Sequence, residues 1–293
     1  MPRISVIIPT FNNATLLAET LDSVFAQSFT GIELIVVDDG SIDDTGAMIK
    51  RDYPRVRYVH QPNGGPAAAR NAGVGLAQGE YFAFCDHDDL WNPGHLQALL
   101  DGFAAHPEAA MVFDNAKYFG VGVEDDTVHL DEATCVSLSQ GAVSANTLLW
   151  DYPVASMSVA MVRKKHFDLV GGLSEQVGAL DDLHLYLRIA ADHEVRFINY
   201  LGCRKRVTSQ NLSQLINIKE TNVAYLEDLW RNHPKVIKSI GPVSFRLRLA
   251  RKYFKLGRYY KHNGEPTRSK EMFGKAYRTN YFNPRYLWHT LLS

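Results

Sequence analysis

Short apolar runs alternate with amphipathic segments along the first 120 residues of the chain. The run at residues 4–8 is nearly continuous, as is typical of a strand buried on both faces. Similar runs lie at 32–37, 56–60, 81–85 and 109–113. Between the first two runs, Leu17, Leu21 and Val24 recur at helical spacing. Strands that alternate with helices predict an α/β fold with a doubly wound, mostly parallel sheet.

The periodicity changes in the second half of the chain. Residues 120–150 lose a clear repeat and are predicted to form a variable loop or a small excursion from the main fold. Residues 181–191 predict a helix and 195–201 a further strand, and from about residue 217 the pattern is wholly helical. We therefore predict a catalytic α/β domain at 1–215 and a basic helical appendage at 216–293. Two helix starts are also predicted, with Ser41 as a cap and Pro66 at a first helical position.

The charge is divided unevenly along the chain, although the net charge is −1. Residues 1–228 carry 16 Lys/Arg and 30 Asp/Glu, whereas residues 229–293 carry 15 and 2. An acidic body with a basic tail is expected to meet an anionic partner through that tail. The N-terminus lacks the layout of a signal peptide, and the three cysteines do not form a metal-ligand pattern. Both observations predict a cytoplasmic protein.

Candidate chemistry begins at Asp86-His87-Asp88-Asp89, directly after the apolar run 81–85. In open α/β sheets, ligands bind beyond the carboxyl ends of the strands. Carboxylates there can hold a divalent cation, which in turn can hold a diphosphate. The alternative interpretation is a solvated acidic turn, in which Asp89 or Asn92 caps the next helix.

Three further segments carry polar groups at strand or helix ends. The first strand ends in PTFNN (residues 9–13), without the glycine-rich turn of dinucleotide enzymes. The second ends in DDGS (38–41), where Asp39 could accept from a base N–H or cap the following helix. In NGGPAAARN (63–71), backbone amides and Arg70 could bind phosphate, unless Arg70 is merely solvated. Asp181-Asp182 could supply a general base or cap a helix.

The order of PTFNN, DDGS, NGGPAAARN, CDHDDLWNP, VGGL and DDLHLYLR resembles the family 2 glycosyltransferases, which have the GT-A fold. The resemblance covers about residues 3–207 and implies an inverting transfer of a sugar from a nucleotide-diphosphate sugar. The donor it implies is usually a UDP-sugar, with Mn²⁺ or Mg²⁺ as cofactor. The expected product is a cell-surface polysaccharide, with a glycan or a lipid-linked molecule as the acceptor. The lipid-linked acceptor is suggested by the basic tail together with what is usual in the family.

Residue roles follow from this resemblance position by position. The donor nucleotide would be bound by the PTF segment and by polar residues of the later motifs, namely Pro9, Thr10, Phe11, Asp39, Arg70, Asp86, Asp181 and Arg206. Asp88 and Asp86 match the metal-binding DxD motif, and Asp182 the catalytic base. Asp181 stands where the family usually has Glu. Thr208 stands where it often has His, which leaves Arg206 to bind phosphate from that loop.

Two other functions remain open on the sequence alone. A nucleotidyltransferase also combines an α/β sheet, carboxylates and a metal, but it usually has a glycine-rich, lysine-bearing loop after the first strand. A non-catalytic protein that binds sugar nucleotides as a scaffold is the second alternative. The joint presence of Asp86, Asp88 and Asp182 favours an enzyme over a scaffold.

The basic segment at residues 244–262 has an apolar stripe at helical spacing. One interpretation is a helix whose stripe packs on the catalytic domain while its charges are solvated. The other is a basic helix that docks on the anionic inner face of a membrane, with contacts from Arg248, Arg251, Lys252 and Lys255. Nucleic acid is not expected as a partner, because the acidic body would repel it.

Overall fold

The computed structural model describes residues 3–124, 127–208 and 218–291. Its strands are β1 (Ile4–Thr10), β2 (Ile32–Asp38), β3 (Arg57–His60), β4 (Tyr81–Phe84), β5 (Leu90–Trp91), β6 (Ala109–Gly120), β7 (Ala160–Arg163) and β8 (Glu194–Val207). They form one sheet in the order β3-β2-β1-β4-β7-β6-β8-β5. Strands β5 and β7 are antiparallel to their neighbours, while the other pairings are parallel. The predicted mostly parallel sheet is confirmed.

Helices cover both faces of the sheet and follow it in the chain. The first eight are α1 (Ala14–Phe25), α2 (Thr45–Asp52), α3 (Pro66–Leu76), α4 (His95–Ala105), α5 (Glu132–Ser139), α6 (Ala145–Asp151), α7 (Lys164–Leu169) and α8 (Asp181–Asp192). The C-terminal helices are α9 (Ile218–Asn232), α10 (Pro234–Ile240), α11 (Pro242–His262), α12 (Pro266–Thr279) and α13 (Pro284–Leu291). Proline opens each of the last four, because its fixed φ suits the first helical position.

The apolar run of β1 is explained by burial on both sides of the sheet. Ile7 packs into the hydrophobic cluster on one face, whereas Val6 and Ile8 pack into the cluster on the other. Helix α3 approaches β1 so closely that a Cβ at Gly73 would lie 2.6 Å from Ile7 Cγ2. This close approach fixes α3, and with it Arg70, against the central strands.

The C-terminal helices share a core with the sheet. One cluster of buried apolar side chains contains Phe82 and Phe84 of β4, Leu226 of α9, and Phe245 and Leu249 of α11. The predicted domain boundary at residue 215 lies outside the described residues and stays a prediction. In the described part of the chain, no helix is both long and apolar enough to cross a membrane.

Helix α11 turns the apolar stripe of the basic segment inward, as the packing interpretation predicted. Its buried residues are Phe245, Arg248, Leu249, Ala250, Tyr253, Leu256, Gly257 and Tyr260. The Arg248 guanidinium lies 4.6 Å from the centre of the Trp150 ring, and Lys252 is partly buried. Arg251 and Lys255 are exposed. The expectation that Arg248 contacts a membrane was wrong, because its guanidinium is buried against Trp150. For Lys252, which is partly buried and donates to Asn222, membrane contact stays a prediction.

Two local predictions were also wrong. Helix α2 begins at Thr45 after Asp44, and Ser41 instead accepts a hydrogen bond from the Asn12 amide. Residues 120–150 are not one loop but contain helices α5 and α6. These two helices have short, weakly periodic sequences, which is why the pattern did not reveal them. Pro66 does open α3, as predicted.

Candidate functional site

The carboxyl ends of β2, β1 and β4 lie side by side in the sheet. Thr10 ends β1, Asp38 ends β2, and Asp86 follows β4 by two residues. The backbone N–H of Asp39 donates to the carbonyl of Thr10 at 2.8 Å, which ties the first two loops together. Parallel strands therefore bring three separate motifs to one edge, where ligands bind in open α/β sheets.

Asp39 organises the start of helix α3. Its carboxylate accepts from the backbone amides of Gly64 at 2.9 Å and Gly65 at 2.7 Å, and from the Gln61 side chain at 2.8 Å. Gly65 has φ of +88°, a conformation that favours glycine. The prediction that these amides bind phosphate was wrong for Gly64 and Gly65, because Asp39 occupies them. The alternative that Asp39 caps the helix directly after it was wrong as well.

Arg70 joins the two acidic motifs. Its Nη2 donates to Asp86 Oδ1 at 2.7 Å, and its Nη1 donates to Asp181 Oδ2 at 2.8 Å. The Arg70 side chain is only 8% exposed, so the interpretation of Arg70 as a merely solvated residue was wrong. A planar guanidinium presents separate N–H donors to the two carboxylates in a fixed fork geometry, whereas a lysine offers a single flexible point charge. The structure thus places Asp86 and the Asp181-Asp182 pair around the Arg70 guanidinium.

Asp89 is the most buried member of the acidic run. Its carboxylate accepts from the Ser158 hydroxyl at 2.7 Å and from the Arg206 backbone amide at 3.0 Å. Burial raises the pKa of Asp89 to about 7. The alternative of a solvated acidic turn was therefore wrong for Asp89. Helix α4 instead starts after Gly94, and neither Asp89 nor Asn92 occupies its cap position.

The pKa values of Asp86 and Asp88 are shifted in opposite directions by burial and by the neighbouring charges. Burial acts to raise the pKa of Asp86, but Arg70 and then Lys205 outweigh it, and the pKa is lowered. The pKa of Asp88 is raised by burial and then by the negative charge of Asp86. Nearby positive charge thus does not fully offset the cost of ionising Asp88.

This donor set fits a hard divalent cation. Mg²⁺ and Mn²⁺ prefer oxygen ligands, and Mg²⁺ is commonly held by one or two carboxylates together with substrate phosphates and water. Asp86 and Asp88 provide such carboxylates. A cation beside them would offset the repulsion that raises the pKa of Asp88. The residues therefore fit the metal that the sequence resemblance implies.

Asp182 lies in the first turn of helix α8 and is partly buried. Its Oδ1 accepts from the Leu183 amide at 2.6 Å. Burial and then the neighbouring Asp181 raise the pKa of Asp182 to about 6. A carboxylate with this pKa is mostly ionised at neutral pH and keeps affinity for a proton, as a general base requires. The interpretation of Asp181 as a cap was wrong, because Asp181 is inside the helix and pairs with Arg70.

The remaining predicted residues lie around the same edge. Arg206 Nε donates to the carbonyl of Asp88 at 2.9 Å, and its Nη2 pairs with Glu19 at 2.6 Å. The carbonyl of Pro9 lies 3.3 Å from His87 Nδ1. Phe11 is 45% exposed at the rim. Each of these predicted residues is thus near the acidic run or on the loop beside it.

Two buried polar atoms have open hydrogen-bonding capacity at this edge. Among the residues that the structure describes, none hydrogen-bonds to Thr10 Oγ1 or to Arg70 Nε. Buried polar groups without partners are uncommon in native folds, and a bound ligand is one usual explanation. Both atoms belong to residues that the sequence assigned to the donor nucleotide.

Sequence reasoning missed Ser158 and Lys205. Ser158 binds Asp89 through its hydroxyl and also accepts from the Asp86 amide at 3.0 Å. Lys205, on β8, has a raised pKa although burial opposes it, because Asp89 and Asp86 are close. The one sequence feature that could have indicated Lys205 is that it directly precedes Arg206. Ser158 lies in an apolar run that also contains Ser156, and nothing there distinguished it.

Known proteins resemble this chain in both sequence and fold. Residues 5–171 match the model of glycosyl transferase family 2. An uncharacterized glycosyltransferase of Rickettsia prowazekii is 38% identical over 233 residues, or 78% of this chain and 70% of the relative. Chondroitin synthase of Escherichia coli is 25% identical over 248 residues, or 81% of this chain but 32% of the relative. The match to a Rickettsia bellii glycosyltransferase spans 15% of that longer protein.

Two solved structures share the fold at low sequence identity. S. aureus TarS 1–349 in complex with UDP-GlcNAc has a TM-score of 0.68 and 18% identity, and the match covers 94% of this chain and 81% of that one. The mannosyltransferase PcManGT of Pyrobaculum calidifontis, in complex with GDP-Man and Mn²⁺, has a TM-score of 0.63 and 21% identity, with 99% and 86% covered. These structures confirm the predicted GT-A type of fold with C-terminal helices. On its match over more than half its length, the chain belongs to glycosyl transferase family 2.

Proposed function

We propose that the protein transfers a sugar from a nucleotide-diphosphate sugar, with UDP as the nucleotide, to a glycan or lipid-linked acceptor of a cell-surface polysaccharide. The observation that carries the proposal is the Arg70 bridge between Asp86 and Asp181. This bridge holds Asp86, a proposed donor-binding residue, close to Asp181, the neighbour of the proposed base Asp182. The UDP-GlcNAc complex of TarS and the chondroitin synthase relative support this choice of donor and product.

The base of the donor nucleotide would bind between the loops after β1 and β2. Thr10 Oγ1 is buried there with open capacity, and Asp39 Oδ2 has one further lone-pair direction beyond its bond to Gly65. Both can meet a uracil ring, which offers an N–H donor and carbonyl acceptors. Pro9 and Phe11 flank this position in the chain.

The diphosphate would lie at the acidic run. Asp86 and Asp88 would hold Mg²⁺ or Mn²⁺, which neutralises phosphate charge when bound. Arg206, near the end of β8, would bind phosphate beside the acidic run, since its guanidinium reaches the Asp88 carbonyl. The Mn²⁺ complex of the mannosyltransferase is consistent with such a cofactor.

Transfer itself would depend on Asp182. Its carboxylate accepts the proton of the acceptor hydroxyl as that oxygen attacks the anomeric carbon. The bond from this carbon to the diphosphate oxygen breaks on the opposite side, and the nucleoside diphosphate leaves with that electron pair. Attack opposite the leaving group inverts the anomeric configuration. A positioned base of this kind contributes about 10²–10⁴-fold to the rate.

A cytoplasmic location at the inner face of a membrane completes the proposal. The exposed face of α11 carries Arg251, Lys255, Arg258 and Lys261 at helical spacing. Each such side chain near an anionic leaflet is worth about 1 kcal/mol. This face would concentrate the enzyme where a lipid-linked acceptor lies.

The proposed function is tested by assaying the purified chain with a panel of UDP- and GDP-sugars in Mn²⁺. We expect release of the nucleoside diphosphate from at least one donor, and loss of this release in Asp182→Asn with donor binding retained. Product NMR should show an inverted anomeric configuration. Parallel incubation with UTP and sugar 1-phosphates tests the nucleotidyltransferase alternative, since pyrophosphate release there would contradict the proposal. Donor binding without turnover by the wild-type protein would indicate a scaffold.

A further inference from the structure

A second group of possible metal ligands lies where α8 meets the C-terminal helices. His184 is on α8, Asp228 is on α9, and His233 lies between α9 and α10. His184 Nε2 is 2.7 Å from Asp228 Oδ2, and His233 Nε2 is 3.3 Å from the same oxygen. Within residues 3–124, 127–208 and 218–291, this is the group of three such side chains whose donor atoms all lie within 4.8 Å.

The charge states of this group suit a metal. Burial and then Arg188 lower the pKa of His184 to about 4, although Asp228 opposes this. The same two causes lower the pKa of His233. The pKa of Asp228 is lowered too, because hydrogen bonds from Asn232 and His184 outweigh its burial. Both imidazoles are thus neutral at pH 7, but each Nε2 that faces Asp228 would have to pass its proton to Nδ1 before it could bind a cation.

We propose that His184, Asp228 and His233 bind a divalent transition-metal ion of the zinc type. Imidazole nitrogen suits Zn²⁺, whereas Mg²⁺ prefers oxygen alone, so this site differs in chemistry from the pair Asp86 and Asp88. Zinc–ligand bonds of about 2.0 Å place tetrahedral ligands about 3.3 Å apart. The contact of His233 with Asp228 already has this separation, and His184 must withdraw by about 0.6 Å from its hydrogen bond. Water would fill the fourth position.

The surroundings both support and limit this site. Asn232 donates to Asp228 Oδ1 at 2.8 Å, which orients the carboxylate as outer partners of metal ligands do. Arg188 is the opposing charge, and it lowers the affinity for any cation. Its Nη1 and Nη2 donate to the carbonyls of Val170 and Gly172, so hydrogen bonds hold the guanidinium against that loop. We therefore expect weaker binding than at a zinc site without a neighbouring cation.

Such an ion would link the C-terminal helices to α8, the helix that carries the proposed base Asp182. His184 lies two residues after Asp182 on α8, while Asp228 and His233 belong to the helical region. The site would thus couple the packing of α9 and α10 to the position of α8. The proposal does not depend on which sugar or acceptor the enzyme uses.

The test is metal binding by the full-length chain without an affinity tag. Asp88→Asn is used as the background, so that the carboxylate site does not contribute. We expect one Zn²⁺ per chain in competition with a chromophoric chelator, no displacement by excess Mg²⁺, and visible absorption on Co²⁺ substitution. His233→Gln should weaken Zn²⁺ binding by more than about tenfold, since even loss of an outer partner costs about 10–100-fold.

Two controls keep the result interpretable. His166→Gln removes an imidazole that is not part of the group and whose ring centre lies 4.6 Å from that of His193, and this variant should bind Zn²⁺ like the background protein. The melting temperature in EDTA shows whether His233→Gln is folded, and Asp228→Asn provides a second, near-isosteric variant. Equal Zn²⁺ affinity in the background, His233→Gln and Asp228→Asn proteins would overturn the proposal. So would the absence of a bound ion, and either result would leave the three residues as a hydrogen-bonded junction.

Discussion

Arg70 and Asp181 are separated by 111 positions in the chain, yet their side chains form a buried ion pair of 2.8 Å. The other terminal nitrogen of the same guanidinium, Nη2, donates to Asp86. Burial of a charge is costly unless the charge is paired and hydrogen-bonded. Each carboxylate therefore depends on Arg70, and the distance between the two acidic motifs is set by one planar group.

Replacement of Arg70 by Gln should damage both stability and activity. Breaking a buried pair leaves an uncompensated charge and typically costs about 3–5 kcal/mol. Arg70→Lys should retain more stability than Arg70→Gln, but its single ammonium cannot reproduce the fork geometry of the guanidinium and should also lower kcat/KM. Chemical denaturation and donor kinetics measure these effects. Arg51→Gln, which breaks an exposed pair with Asp52, is the matched control and should leave stability nearly unchanged. Normal stability of Arg70→Gln would refute the bridging role.

Asp182 should impose a pH dependence on transfer. Its pKa is raised to about 6, so the ionised base is lost as the pH falls through that value. We expect kcat/KM to rise with pH through about 6 and then to level off. Asp182→Asn should lower kcat by about 10²–10⁴-fold and leave donor affinity nearly unchanged. Equal losses of donor affinity and of rate would instead make Asp182 a binding residue.

Asp88 should be required for the metal rather than for the fold. Its carboxylate is destabilised by burial and by Asp86, so its removal costs little stability. Asp88→Ala should keep its melting temperature but lose the Mn²⁺-dependent part of donor binding, measured by calorimetry with and without the ion. The control Asp44→Ala removes an exposed acid that makes no cap hydrogen bond. Near-normal turnover of Asp88→Ala in Mn²⁺ would show that Asp88 is not a ligand.

The exposed face of α11 should bind anionic vesicles at low salt and release them at high salt. Joint replacement of Arg251, Lys255, Arg258 and Lys261 by Gln should abolish co-sedimentation and leave UDP binding intact. The matched control removes four exposed basic side chains near the β3 edge, namely Lys50, Arg51, Arg55 and Arg57. If both variants sediment alike, or if lipid charge has no effect, the membrane proposal fails and α11 is a packing element.

Local patterns in the sequence determined most of the α/β elements. The central strands were predictable because burial on both faces demands continuous apolar runs, as in β1. The acidic motifs were found because they follow such runs directly. The helices α5 and α6 escaped because each is too short for its apolar spacing to stand out.

The tertiary structure alone decided which charged groups are partners. An arginine that binds two buried acids and one that is solvated look the same in sequence, so Arg70 and Arg248 could not be placed by pattern. The sequence did not indicate that Asp39 also holds the loop before α3. His184 and His233 meet at Asp228 only because α8 packs against the C-terminal helices. Periodicity reports which face of an element is buried, whereas pairing between distant residues depends on how the faces meet.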